Sequence, residues 1–296
     1  MYNFLHDMHW VLPLRAPWAT PIAQGFTFLG YTPFFLIFLP LIYWFWDRAL
    51  FIRIMVVIVL NSLLNDWLKD FWQDPRPALE FQLDHARVAD SYGRPSGHAQ
   101  GAAIMWLWLA HELKRGWAWP AAIFIALGVG LSRLYLGVHD VDDVLTGFAL
   151  GVALFFAMLW LFTPRFDGWR ALPVWTHFAA LAALAIVALA TWPLPRYPDG
   201  AVQTLLFYAS AYLGYVVDMR LEPRGLQRPA WWIALPAAIT ALVLLFVVRA
   251  GVGYAVLAID PNKYLASAVQ AVAVGLYVTL AASVAFRALG MLTPKG

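Results

Sequence analysis

Ser132-Arg133-Leu134-Tyr135-Leu136-Gly137-Val138-His139-Asp140-Val141-Asp142-Asp143 is a polar island between two apolar runs, 117–136 and 139–162. Each run has the length of a helix that crosses a hydrocarbon core about 30 Å thick. Similar runs fall at 22–46, 49–68, 97–113, 171–193, 201–218, 230–249 and 265–288. The pattern predicts an all-α polytopic transmembrane bundle of about nine spans. Composition agrees: of 296 residues, 62% are hydrophobic and 12% charged, with mean hydropathy +0.67. A soluble domain is about a quarter charged, and a soluble core this apolar would leave large exposed patches.

The formal net charge of +3 is too small to call for nucleic acid. The chain has no cysteine, which excludes disulfides, thiolate nucleophiles and cysteine metal sites. Residues 1–21 carry His6, Asp7, His9 and Arg15 among apolar residues and lack the basic start and small-residue cleavage site of a signal peptide. They read as an interfacial N-terminal segment, followed by a core over 22–163 and additional C-terminal transmembrane helices over 164–296.

Two further polar clusters precede the first: Lys69-Asp-Phe-Trp-Gln-Asp-Pro-Arg76-Pro77 and Arg94-Pro95-Ser96-Gly97-His98. The connection 69–96 is long and polar, and such loops are usually functional. Counting spans places all three clusters on one face of the membrane. A phosphate group carries about two negative charges and spreads charge over its equatorial oxygens in transfer. Lys69, Arg76 and Arg133 supply fixed cations for those oxygens. Ser96 and Gly97 open a helix, whose free N–H groups favour an anion. Asp143, four residues after His139, is expected on the same helical face, to orient its imidazole for attack on phosphorus. Asp142 is the geometric rival. His98 is left to protonate the departing oxygen.

The three clusters match K-x6-R-P, P-S-G-H and S-R-x5-H-x3-D, and on these motifs the chain resembles the type 2 phosphatidic acid phosphatase superfamily. The match runs from Lys69 to Asp143 with every signature residue present. The resemblance implies a metal-independent phosphatase acting through a phosphohistidine, with His139 as nucleophile, Asp143 as its partner and His98 as acid. It implies that Lys69, Arg76, Ser96, Gly97 and Arg133 hold the phosphate. Two spans before the first motif and about four after the site give a layout similar to glucose-6-phosphatase and the sphingosine-1-phosphate phosphatases. The expected substrate is a lipid phosphate or pyrophosphate met at the membrane surface. A soluble phosphate ester is the rival, and an anion transporter fits less well because anion binding does not require a His139–Asp143 pair. No cofactor, metal, nucleic acid or obligate protein partner is called for.

Other polar residues have plainer readings. Arg87, Arg94, Arg196 and Lys263 read as interfacial anchors, and His6, His9, His111 and His177 as interfacial or loop histidines. His85 could approach substrate from the loop. Asn65 and Asp66 suit either function or a helix–helix hydrogen bond. Gly128, Gly130 and Gly137 read as close helix contacts.

Setting aside Lys69, Arg76 and Arg133, the motif face carries six cations and the opposite face eleven. The positive-inside rule then turns the motif face outward, toward the periplasm in a bacterial inner membrane. An outside-confined thiol reagent should therefore label a cysteine placed at Asp84 and leave one placed at Arg224 unlabelled. The reverse pattern would put the site in the cytoplasm.

Overall fold

The computed structural model describes residues 5–84, 91–194, 198–222 and 229–291. His85, Arg87, Arg196 and Arg224 lie outside the described residues. The described chain is helical, without strands. Helices α1 (Ala19–Phe28), α2 (Thr32–Phe45), α3 (Arg48–Trp72), α4 (Gly97–Leu113), α5 (Ala118–Tyr135) and α6 (Val141–Leu161) come first. They are followed by the short α7 (Asp167–Arg170), then α8 (Val174–Ala190), α9 (Asp199–Leu221), α10 (Trp231–Ile259), α11 (Lys263–Leu276) and α12 (Ala282–Ala288).

Each of the nine apolar runs contains helix, and about nine stands as an approximate span count. Among the described residues six helices are long and apolar enough to cross a membrane, or eight if each of two bent pairs is one span. Two of the runs are bent. The first run breaks between α1 and α2 with a 52° bend, and the sixth bends by 102° ahead of α8. Helix α4 has 17 residues, about 26 Å at the α-helical rise, at the short end of the spanning range.

Contacts divide the chain into two compact units. One comprises Met1–Phe35, Leu60–Leu172 and Val187–Arg196. Within it α4 packs against α5 and α6, and α1 against α5. Glycines set the approach of α4 to α6. A Cβ at Gly147 would stand 2.6 Å from the Ser96 carbonyl oxygen, and one at Gly151 2.5 Å from that of Gln100. Both obstacles are backbone and cannot swing away. Gly128 and Gly130 make close helix contacts as expected, meeting the Phe26 and Phe148 rings.

The other unit comprises Leu36–Val59, Pro173–Ile186 and Tyr197–Gly296, with α11 packed against α9 and α10. Its polar centre is the fully buried Asp218. Asp218 accepts from Arg287 Nη1 at 2.5 Å, Tyr43 OH at 2.7 Å and Ser283 Oγ at 3.2 Å, with Arg48 Nη1 at 3.3 Å. A carboxylate in so dry a place requires partners of this kind.

Gly151→Leu should destabilise the protein by about 1–3 kcal/mol or more through overpacking, read as a lower thermal midpoint in detergent. Gly25→Ala, where a Cβ meets nothing within 4 Å, should leave the midpoint unchanged or slightly raised.

Candidate functional site

The first cluster is held by main-chain carbonyls. Lys69, in the last turn of α3, donates from Nζ to the Tyr92 and Gly93 carbonyl oxygens at 2.5 and 2.7 Å. Arg76 donates from Nε to the Ser91 carbonyl at 2.7 Å and from Nη1 to that of Val138 at 2.6 Å. The same Nη1 lies 3.2 Å from His139 Nε2. Arg133, near the end of α5, donates from Nη1 to Thr27 Oγ1 at 2.5 Å and to Tyr31 OH at 3.2 Å. Neutral carbonyl oxygens thus orient Lys69 and Arg76. Burial, and next the neighbouring Arg133 charge, lowers the Arg76 pKa to about 10, which leaves it a cation at neutral pH.

His139 Nδ1 lies 2.9 Å from Asp143 Oδ2. The pairing does not arise from a shared helical face as the spacing suggested. His139 sits in the turn before α6, whose first residue is Val141. Asp140 caps that helix, and Asp143 completes a capping box: Asp140 Oδ1 accepts from the Asp143 amide at 3.0 Å, and Asp143 Oδ2 accepts from the Asp140 amide at 3.3 Å. The carboxylate reaches back out of the helix to the imidazole. Asp142 turns away to Arg94, 2.7 Å distant. With Nδ1–H donated to Asp143, Nε2 keeps its lone pair toward Arg76. Burial, reinforced by the charges of Lys69, Arg76 and Arg133, pushes the His139 pKa well below its ordinary range.

The second cluster is tied to the third. The Ser96 amide donates to the Asp143 carbonyl at 2.9 Å. The Ser96 side chain caps α4, accepting from the Ala99 amide at 3.5 Å. Asn65 donates to the Pro95 carbonyl at 3.2 Å and to Gln100 Oε1 at 2.8 Å, which settles its role as a bond from α3 to this turn and to α4. A Cβ on Gly97 would meet Asn65 Oδ1 at 2.8 Å, and one on Gly93 would meet Asp143 Oδ2 at 2.9 Å. A larger residue at either position would push the Asn65 or Asp143 side chain from its place.

His98 follows Gly97 on α4, and its ring meets the Tyr31 ring edge-on at 4.7 Å. Among the described residues its Nε2 has no hydrogen-bond partner. Room for the ring comes from Gly30, where a Cβ would stand 2.3 Å from His98 Cδ2. The structure therefore adds Thr27, Gly30 and Tyr31, from the end of α1 and the break before α2. Their only sequence signal is a Gly-Tyr interruption of an apolar run. Gly137 is not a helix contact: its φ of +67° belongs to the turn before His139, and a Cβ there would overlap the Phe81 carbonyl.

The remaining residues divide. Arg94, read as an anchor, lies 4.8 Å over the Trp72 ring as well as on Asp142. His6, read as interfacial, reaches Asp140 at 2.6 Å. His9 pairs with Asp7, His111 contacts the Trp108 ring, and His177 bonds Tyr212 OH, so none of these joins the site. Among the described residues no group of three or more His, Cys, Asp or Glu side chains is placed to hold a metal ion. The arrangement suits an anion held by cations, beside one imidazole with a directed lone pair.

Comparison with known proteins gives a consistent picture. A family model described as the PAP2 superfamily matches residues 50–167. Phosphatidylglycerophosphatase B of Bacillus subtilis is 35% identical over 159 residues, 48% of this chain and 75% of that protein. Sphingosine-1-phosphate phosphatase 2 of Mus musculus is 33% identical over 43% of this chain, which spans 38% of that longer protein. A crystal structure of a transmembrane PAP2 type phosphatidylglycerolphosphate phosphatase from Bacillus subtilis is 32% identical, covering 51% of this chain and 80% of that one, with a TM-score of 0.45.

Gly30→Ala should displace the His98 ring while leaving its chemistry intact. A shift near 1 Å at a reacting group can cost about a hundredfold in rate. Phosphate release should fall by about 10–100-fold with an unchanged melting profile, and unchanged turnover would mean that the ring position does not matter.

Proposed function

This chain belongs to the PAP2 superfamily, and from that premise we propose that it is a membrane-embedded phosphatase that hydrolyses lipid phosphate monoesters or pyrophosphates through a phosphohistidine. The observation that carries the mechanism is the His139–Asp143 pair with Nε2 turned toward Arg76. In the first step Nε2 of His139 attacks phosphorus, a P–N bond forms and the P–O bond to the lipid breaks. Asp143 accepts from Nδ1–H and stabilises the charge that develops on the ring. His98 gives its proton to the departing oxygen. In the second step water attacks phosphorus, His98 takes its proton, the P–N bond breaks and free phosphate leaves. No metal enters either step.

Lys69, Arg76 and Arg133, together with the Ser96 hydroxyl and the Gly97 amide, hold the equatorial oxygens. Pinned in advance, they need no rearrangement as charge develops. The bound dianion offsets the cations that depress His139, so its basicity rises when substrate is present. Residues 22–163 form the catalytic core, residues 1–21 meet it at the surface, and 164–296 add further helices. The cation distribution in the sequence supports an outward-facing site in a bacterial inner membrane. A lipid substrate is supported by the site's place at the ends of apolar helices, where a headgroup is met without leaving the bilayer. It is also supported by relatives named for phosphatidylglycerophosphate and sphingosine-1-phosphate.

Purified protein in detergent, offered a panel of lipid phosphates, pyrophosphates and sugar phosphates, tests the proposal. Lipid phosphates should give the highest kcat/KM, and a preference for sugar phosphates would overturn the substrate class. His139→Ala should lower phosphate release by at least about a thousandfold, and full activity in that variant would end the mechanism. Activity should survive a strong chelator. Because the His139 pKa is depressed, its free-base form persists as pH falls. The acid limb of kcat/KM should therefore lie below about 6.5, the usual histidine value.

A further inference from the structure

No motif covers the N-terminal segment, yet it is built into the same site. Met8 and Val11, each 1% exposed, pack with Phe81. Trp10 packs against Ala99, Leu134 and Val144, one residue each from α4, α5 and α6. Arg15 donates to the Phe81 carbonyl and, at 3.3 Å, to that of Tyr135. Anchored in this way, the chain lays two residues across the start of α6. The Leu5 carbonyl accepts from the Val141 amide at 3.1 Å, satisfying one of the free donors of the first turn. His6 Nδ1 lies 2.6 Å from Asp140 Oδ2. The other oxygen of Asp140 holds the Asp143 amide, and Asp143 Oδ2 holds His139.

We propose that His6 is a positioning residue for His139: its imidazolium clamps Asp140 at the start of α6, and through Asp140 keeps the Asp143 carboxylate on the His139 ring. The inference rests on the reading of His139 as nucleophile. His6 touches neither substrate nor the reacting atoms. Its side chain is 47% exposed while that of Asp140 is 6% exposed, so His6 takes its proton directly from solvent and passes the effect inward.

The charged groups facing His6 are Asp140 and Asp142 at the start of α6, with Arg94 on Asp142, and Asp74 from the loop after α3. Asp7, on its own segment, is taken up by His9. The hydrogen bond to Asp140 raises the His6 pKa most. Partial desolvation opposes the rise, and the charges of Asp140, Asp142 and Asp74 add to it. A raised value means that the clamp is fully made below the ordinary histidine range and is lost as pH rises through the raised value. His139 works as a free base and His6 as a cation, so the two favour opposite ends of the same interval.

The test is phosphate release from phosphatidic acid in mixed micelles, measured from pH 5 to 9 on the full-length protein, with His6→Gln and His6→Ala. Gln keeps a donor and loses the charge. The wild type should lose kcat on the alkaline side. His6→Gln should lack that limb and match the wild type's alkaline plateau at every pH above the acid limb set by His139. His6→Ala should lower kcat by about tenfold with KM within twofold. Wild-type kcat and pH profile in both variants would overturn the inference. So would a fall in kcat that merely follows loss of folded protein, with the alkaline limb intact in what remains. His139→Ala in the same assay keeps the two readings apart. If it is inactive while the His6 variants behave as wild type, this inference alone fails; if it is active, the mechanism fails.

Discussion

One turn of helix holds the site together. The capping box of Asp140 and Asp143 starts α6 and also aims the Asp143 carboxylate back at His139. The Asp143 carbonyl, one bond further along the chain, receives the Ser96 amide and so ties the second cluster to the third. A buried carboxylate without such partners would be strongly unfavourable. Here its amide and imidazole neighbours are supplied by the same few residues that the proposed mechanism uses, so one network would serve both stability and chemistry. His6 and Leu5 extend that network to the N-terminal segment.

Around this turn the cations are arranged by a different device. Lys69 and Arg76 are gripped by the carbonyls of Ser91, Tyr92, Gly93 and Val138. Carbonyl oxygens accept hydrogen bonds and fix direction, but they carry no full charge. Carboxylates in their place would have neutralised the cations and left nothing to attract phosphate. The polar connection between α3 and α4 thus supplies main-chain acceptors as well as length. Arg133 bonds the hydroxyls of Thr27 and Tyr31. Preorganised charge of this kind is what phosphoryl transfer draws on. In the second unit the opposite rule applies: Asp218 and its two arginines are matched to one another, as charges buried for structure must be.

Much of this was legible in the residues themselves. Apolar runs of membrane-spanning length declared the helices, because every backbone polar group in lipid must be paired within its own segment. Lys69, Arg76, Ser96, Gly97, His98, Arg133, His139 and Asp143 could be singled out because such polar groups are costly at the ends of apolar helices unless they have work to do. Less legible were the breaks inside two of the runs, since a sharp bend leaves hydropathy almost unchanged.

The sequence by itself determined the all-helical membrane class and nominated the residues of the proposed site, both from local properties of composition and spacing. Only the tertiary structure decided that His139 stands outside α6, that Gly30 makes room for His98, that Gly137 shapes a turn, and that His6 meets Asp140 across 134 residues of chain. Those outcomes depend on how closely distant backbones approach. Neither a helical period nor a residue type carries that information until the helices have packed.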